Sequence, residues 1–285
     1  MGSEGMLENG PLVSLLIPAY QAERFLGATL ACALAQTYPN LEIVVLNNNS
    51  TDSTPAILSA VRDPRLRVES NSQTLQLPDN WNRLVEHAKG DLIKVLCADD
   101  LITPDCIATQ VAVLSGRDDV ALVSCRTDFV DEVGLPLRND RGLSGITGPR
   151  TAREVIRRVV RSGGNPIGPT AAVMFRRNDF DTVGGFDGRF YFPMELELWT
   201  RLLTRGSFVG IDATLASFRV SASSQTSGTS AHAQYTQQRA VTHGLVRDPR
   251  WRITVGDRCI AAVNAQSMQL RRNLLYRDAR RRARR

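Results

Sequence analysis

An α/β fold with a mostly parallel central sheet flanked by helices is predicted by three features of this 285-residue chain. Short apolar runs alternate with segments of helical composition through the first 130 residues. The runs are continuously apolar, as in strands covered on both faces, rather than alternating apolar and polar. Strand and helix follow one another at a spacing that implies right-handed βαβ units.

LVSLLIP (12–18), stopped by Pro18, reads as a buried strand, and AERFLGATLACALAQ (22–36) as a helix with Phe25, Leu26, Leu30 and Leu34 at helical spacing. LEIVVL (41–46) is a second buried strand. STDSTPAILSAVR (50–62) is a helix with capping candidates at its start. LRVES (66–70) reads as a strand, NWNRLVEHAKG (80–90) as a helix closed by Gly90, and DLIKVLCADD (91–100) as a strand ending in two carboxylates. PDCIATQVAVLSG (104–116) is a helix and VALVSCRTDFV (120–130) a strand.

The pattern then changes. Residues 131–150 are rich in Gly, Pro and charge and read as a loop; TAREVIRRVVRSGG is a helix with a Gly stop, and AAVMFRR (171–177) a strand. MELELWTRLLTRG (194–206) is a helix with Leu196, Trp199, Leu202 and Leu203 on its apolar side. FVGID and TLASFRV are two short strands, 221–234 a polar loop, and the remainder a helical tail.

The five cysteines lack the C-x-x-C spacing of a zinc site or a disulfide framework and suit a reducing, cytoplasmic setting. No apolar run approaches the ~18 residues of a membrane span. The N-terminal MGSEGMLENGP lacks the order of a secretory signal and reads as a short disordered arm. The net charge of +6 is a tail property, because eight of the 35 basic residues, against one of the 29 acids, lie in the last 15 positions. That tail suits peripheral contact with an anionic membrane face as well as it suits a solvated terminus. The near-neutral remainder argues against specific nucleic-acid binding.

Ligands of open parallel sheets bind beyond the carboxyl ends of the strands. Those ends are IPAY (17–20), LNNNSTD (46–52) and CADD (97–100), which are expected side by side. Asp99 and Asp100 would repel unless a cation lay near them, and a hard ion such as Mg²⁺ or Mn²⁺ fits two carboxylates plus substrate phosphates. Taken alone, such a pair more often marks an exposed loop or a helix start. The Asn47–Asn49 run offers donors and acceptors to a nucleobase edge, but by itself it reads better as a turn before a helix N-cap. Glu195, in a first helical turn, suits a general base, and equally an acid favoured by the helix dipole, a place Glu197 could hold.

Three motifs in order change these odds. LVSLLIPAYQAERFLGATLACALAQTYPNLEIVVLNNNSTDST, NWNRLVEHAKGDLIKVLCADDLITPD and MFRRNDFDTVGGFDGRFYFPMELELWTRLL together resemble the family 2 glycosyltransferases, inverting enzymes of GT-A fold, over roughly residues 12–220. The resemblance implies a GT-A domain over 1–220, with a Rossmann-like nucleotide-binding half at about 12–130 and an acceptor half at about 131–220. A polar loop and a helical basic extension would fill 221–285. It implies a nucleoside-diphosphate sugar donor and Mn²⁺ or Mg²⁺ as cofactor. The acceptor hydroxyl would belong to a saccharide, a lipid-linked saccharide or another compound. Pro18, Ala19, Tyr20, Glu23, Asn48 and Asn82 would serve the nucleotide site, Asp99 would approach the ribose, and Asp100 would hold the metal. Glu195, four residues before Trp199 and six before Arg201, matches the catalytic base.

Several positions depart from the family pattern. Asn47-Asn48-Asn49 replaces Asp-Asp-Gly, Cys97 replaces the first acid of Asp-x-Asp-Asp, and Met194-Glu195 replaces an acidic pair. Ser221 stands near a position where relatives carry His, for which the loop residue His232 is a candidate substitute. These losses keep a catalytically degenerate nucleotide-sugar binding protein as the alternative. A sugar-phosphate nucleotidyltransferase would carry a Gly-rich phosphate loop after the first strand, where IPAYQAER stands. The sequence specifies no oligomeric state.

Overall fold

The structure is a computed structural model that describes residues 10–221 and 231–264. The expected N-terminal arm (1–9), most of the polar loop (222–230) and the basic tail (265–285) lie outside the described residues.

The first half follows the βαβ expectation. It runs β1 (Val13–Ala19), α1 (Leu26–Leu34), β2 (Leu41–Asn47), α2 (Thr54–Ala60), β3 (Leu66–Ser70), α3 (Leu77–Glu86) and β4 (Leu92–Val95). Then come β5 (Leu101–Ile102), α4 (Cys106–Ser115) and the long β6 (Val120–Val130). β3, β2, β1 and β4 are parallel neighbours in that order. Central β1 is buried along its length apart from Pro18, as its Val-Ser-Leu-Leu-Ile sequence requires of a strand covered on both faces. The strand expected through Asp100 ends at Val95. The chain leaves the sheet after Leu96 and turns, with Asp100 N–H donating to the Cys97 carbonyl at 3.0 Å.

The second half contains β7 (Pro136–Arg141), β8 (Gly148–Arg150), α5 (Ala152–Ser162), a 3₁₀ turn (Thr170–Ala172) and β9 (Val173–Arg176). It continues with α6 (Arg177–Val183), α7 (Met194–Leu202), β10 (Ser207–Arg219), α8 (Ala231–Arg247) and a 3₁₀ turn (Pro249–Trp251). β9 runs antiparallel between β4 and β6, β10 runs parallel to β6, and one sheet results.

Four expectations are corrected here. Residues 131–150 are not all loop: β7 pairs with β6 and β8 with β10. β7 buries little besides Leu137, so its Pro, Arg and Asp carry the composition of an edge strand, which resembles that of a loop. FVGID and TLASFRV are one strand, β10, in which register shifts around Thr214 absorb the polar interruption. α6, only seven residues long, was not expected. His232 lies in the first turn of α8 rather than in a loop.

A buried lysine joins the halves. Lys94 on β4 is fully inaccessible, and its Nζ donates to Gln110 Oε1 (2.9 Å) and to the Ala171 carbonyl (2.6 Å). Gln110 Nε2 in turn donates to the Ala172 carbonyl at 2.7 Å. β4, α4 and the 3₁₀ turn before β9 are thereby locked together. Lys94→Met leaves these acceptors unsatisfied. It is expected to lower the unfolding free energy by about 1–3 kcal/mol in a urea titration; an unchanged midpoint would show that the lock carries no stability.

Candidate active site

A cavity of about 590 Å³ opens where β1, β2 and β4 end. Pro18, Tyr20 and Asn48 lie in its wall together with Leu75 and Trp81; Asp99 and Asp100 lie in it as well. Phe129 contributes from the end of β6, and Tyr191, Glu195 and Phe218 contribute from the second half. Residues far apart in the chain meet because β1 stands between β2 and β4, and because β9 and β6 bring β10 alongside them.

The two carboxylates are held by their backbone. Asp100 is buried; its Oδ1 accepts from Arg219 N–H at 2.9 Å, and its carbonyl accepts from Thr29 Oγ1 at 3.0 Å. Arg219 Nε donates to the Asp99 carbonyl at 2.9 Å, and Nη1 donates to the carbonyls of Asp131 and Glu132, each at 3.0 Å. The same guanidinium lies over the Phe25 ring, 4.8 Å from its centroid. The last residue of β10 thus clamps the 97–100 turn against the 131–132 turn.

Burial is the main cause that pushes the Asp99 carboxyl up, and burial followed by the Asp99 charge pushes Asp100 well up. Asp100 Oδ2 is buried without a hydrogen-bond partner. One oxygen from each carboxylate and the Cys97 sulfur lie within 4.8 Å of one another. Burial, with the two carboxylates adding to it, raises the Cys97 thiol well above its ordinary value, and its soft sulfur matches a hard cation less well than the carboxylates do. An orphaned carboxylate oxygen beside a second carboxylate fits a hard divalent cation.

Glu195 and Glu197 differ in what surrounds them. Glu197 is committed to Arg201, with Nε–Oε1 at 2.6 Å and Nη2–Oε2 at 2.5 Å. Arg201 also donates to the Val183 and Gly185 carbonyls, which fixes α7 against the Gly-Gly-Phe turn. Glu195 lines the cavity, where burial raises its carboxyl from 4.5 to about 7.

Three expected nucleotide-site residues do not line the cavity. Ala19 is buried at the end of β1, with its carbonyl accepting from Asn48 N–H at 2.8 Å. Glu23 points to the start of α2 and accepts from Ser53 N–H at 3.0 Å. Asn82 latches the Gly-Gly-Phe turn: its Nδ2 donates to the Phe186 carbonyl (2.9 Å) and its Oδ1 accepts from Phe186 N–H (2.8 Å). Polar type and spacing cannot separate such braces from residues that face a ligand.

Asn48 is in the wall, but its amide is largely engaged by the protein. Oδ1 accepts from Leu75 N–H (2.9 Å) and Asn71 Nδ2 (2.8 Å), while Nδ2 donates to the Leu75 carbonyl (3.0 Å). It therefore shapes the 71–75 segment that forms one side of the cavity. Sequence reasoning missed the aromatic residues Phe129, Tyr191 and Phe218, and missed Arg219 as a clamp. The arginine at the end of the Phe-Arg-Val strand was the available signal.

The sequence pattern described as "Glycosyl transferase family 2" matches residues 14–184. The chain belongs to this family. It is 31% identical over 128 residues to an uncharacterized glycosyltransferase of Haemophilus influenzae, covering 44% of this chain and 40% of that protein. It is 34% identical over 100 residues to the UDP-Glc:alpha-D-GlcNAc-diphosphoundecaprenol beta-1,3-glucosyltransferase WfaP of Escherichia coli, covering 35% of this chain and 40% of that protein. The chain thus spans well under half the length of these two relatives. The family 2 chain also superposes on the S. aureus TarS 1–349 complex with UDP-GlcNAc, with TM-score 0.62, 17% identity, and coverage of 81% of this chain and 65% of that one. The fold is that of the GT-A glycosyltransferases.

Asn48→Asp tests the role of this amide. A carboxylate loses the donor to Leu75 and sets two oxygens against each other, at a cost of about 1–3 kcal/mol. Chemical denaturation is expected to show that loss, and unchanged stability would mean that the 71–75 segment does not depend on the Asn48 amide.

Proposed function

We propose that this family 2 chain transfers a sugar from a nucleoside-diphosphate donor to an acceptor hydroxyl with inversion, using Glu195 as general base and Mn²⁺ or Mg²⁺ at Asp100. The observation that carries this reading is the sharing of one cavity. Half-buried Asp99, buried Asp100 and the elevated carboxyl of Glu195 line the same space, near enough for the Glu195 charge to be felt at Asp100.

The nucleotide would lie against Pro18, Tyr20 and the Asn48–Leu75 wall, beyond the ends of β1 and β2. Asp100, with Asp99 beside it, would hold the ion, which when bound neutralises charge on the departing diphosphate. Glu195 takes the proton of the acceptor hydroxyl as that oxygen forms its bond to the anomeric carbon. The bond from that carbon to the diphosphate oxygen breaks on the opposite face, so the configuration inverts. A base poised near neutrality suits this step, being ionised often enough to act and basic enough to take the proton. Phe129 and Phe218, with ring centroids 5.5 Å apart, and Tyr191 offer apolar faces on the acceptor side. A saccharide or lipid-linked saccharide acceptor suits them, and the activity for which WfaP is named, on a diphosphoundecaprenol-linked sugar, favours the latter.

Glu195→Gln keeps the size of the side chain but cannot accept a proton. Sugar transfer is expected to fall about 10²–10⁴-fold with little change in donor affinity; parental turnover would remove Glu195 from the base role. The parental profile of kcat/KM is expected to rise with pH through a limb near 7, and that limb to be absent from the variant's residual activity.

Stability moves in the opposite sense. The folded-state value of Glu195 lies above the ordinary 4.5, so its protonated form favours folding at low pH, and this contribution is lost as pH rises through about 7. Glu195→Gln should therefore melt higher than the parent above that pH and match it well below. A variant that melts lower than the parent at alkaline pH would contradict the assigned environment.

A further inference from the structure

The helix that follows the second 3₁₀ turn, α9 (residues 255–264), is amphipathic with its apolar side facing away from the protein. Its orientation is set by Asp257, whose inaccessible side chain accepts from Arg157 Nε and Nη2 (both 3.2 Å) and from Arg161 Nε (2.5 Å) on α5. Asp257 also accepts from Thr254 N–H and Oγ1 at 2.9 and 2.8 Å, and Asn264 Nδ2 donates to the Arg161 carbonyl at 2.8 Å. Asp257, Ala261 and Asn264 therefore face the body.

At 3.6 residues per turn, Ala262, Val255, Cys259, Val263 and Ile260 fall on an outward arc of about 160°. All five are exposed, Val255 at 72% and Val263 at 74%. Three of the seven large apolar side chains exposed among the described residues lie within these ten positions, so the patch is concentrated rather than scattered. Arg258 sits at the edge of the arc.

We infer that α9 lies in the surface of an anionic lipid bilayer, with its apolar arc among the acyl chains. An apolar helical face bordered by arginine is the form that interfacial binding takes. The chain continues from α9 into a terminal stretch in which the last 15 residues carry eight arginines and one aspartate. Anionic headgroups complement that charge, whereas a second copy seated on α9 would bring two such stretches together against their repulsion. The inference is independent of the chemistry proposed for the cavity, and it would hold the protein at the surface where a lipid-linked acceptor resides.

The test uses the full chain with vesicles of phosphatidylcholine alone or mixed with phosphatidylglycerol, read by co-sedimentation. Binding is expected to the mixed vesicles, and to be at least about tenfold weaker to phosphatidylcholine alone. The triple variant Val255→Gln, Ile260→Gln, Val263→Gln changes only exposed positions and should keep the parental melting temperature, while its binding to mixed vesicles falls at least about tenfold. In a separate Val263→Trp variant, indole emission should shift to the blue on mixed vesicles. Parental binding by the triple variant would assign the contact to the tail alone and overturn the inference. So would no binding to either vesicle, or a dimer in sedimentation that the triple variant abolishes.

Discussion

Two adjacent carboxylates, one half-buried and one buried where the parallel half of the sheet meets its antiparallel extension, are the constraint on which the remainder of the site depends. Asp99 and Asp100 repel each other in a setting that raises both carboxyls. The protein meets this without a direct ion pair from Arg219, whose guanidinium is spent on the carbonyls of Asp99, Asp131 and Glu132. The backbone is thereby clamped, while Asp100 keeps one buried oxygen without a hydrogen-bond partner. Such an arrangement is costly in isolation, and the proposed cation would relieve it and link the stability of this corner to occupancy of the site.

The rest of the architecture supports that corner. Lys94 binds β4 to the 3₁₀ turn before β9, and residues 168–170 of that region form part of the cavity wall. Arg201 holds α7 to the turn at Gly185, and Asn82 holds the same turn from the other side, so Glu195 is presented on a braced helix. The Asn48–Asn71–Asn80 chain of side-chain amides stiffens the opposite wall. The base, metal and two substrates proposed for this site would benefit from such braces, because small displacements cost catalysis heavily.

Much of this was legible in the sequence for a physical reason. Short apolar runs such as LLIPA and EIVVL, bounded by turn residues, read as strands covered on both faces, and the polar ends of such strands are then expected in a row. Pro18, Tyr20, Asn48, Asp99, Asp100 and Glu195 do meet in one cavity. The second half was less legible because its strands are edges or interrupted. β7 exposes most of its residues, and β10 passes through register shifts that look like a break in a linear reading. Ala19, Glu23 and Asn82 show the other limit. Each is tied to the backbone of the site, and only three-dimensional placement reveals that none faces the cavity. The exposed arc of α9 was hidden as well, since VGDRCIAAVN looks like any short helix until Asp257 fixes which side faces inward.

The most direct measurement is the thermal shift produced by a panel of nucleoside diphosphates, with and without Mn²⁺, in the parent and in Asp100→Asn, which retains an acceptor for Arg219 N–H. A ligand that binds the folded state raises its melting temperature by mass action. The account predicts that one diphosphate stabilises the parent, that most of the shift requires the metal, and that Asp100→Asn loses the metal-dependent part alone. A parent that no diphosphate stabilises, or an Asp100→Asn variant with the full metal-dependent shift, would contradict it.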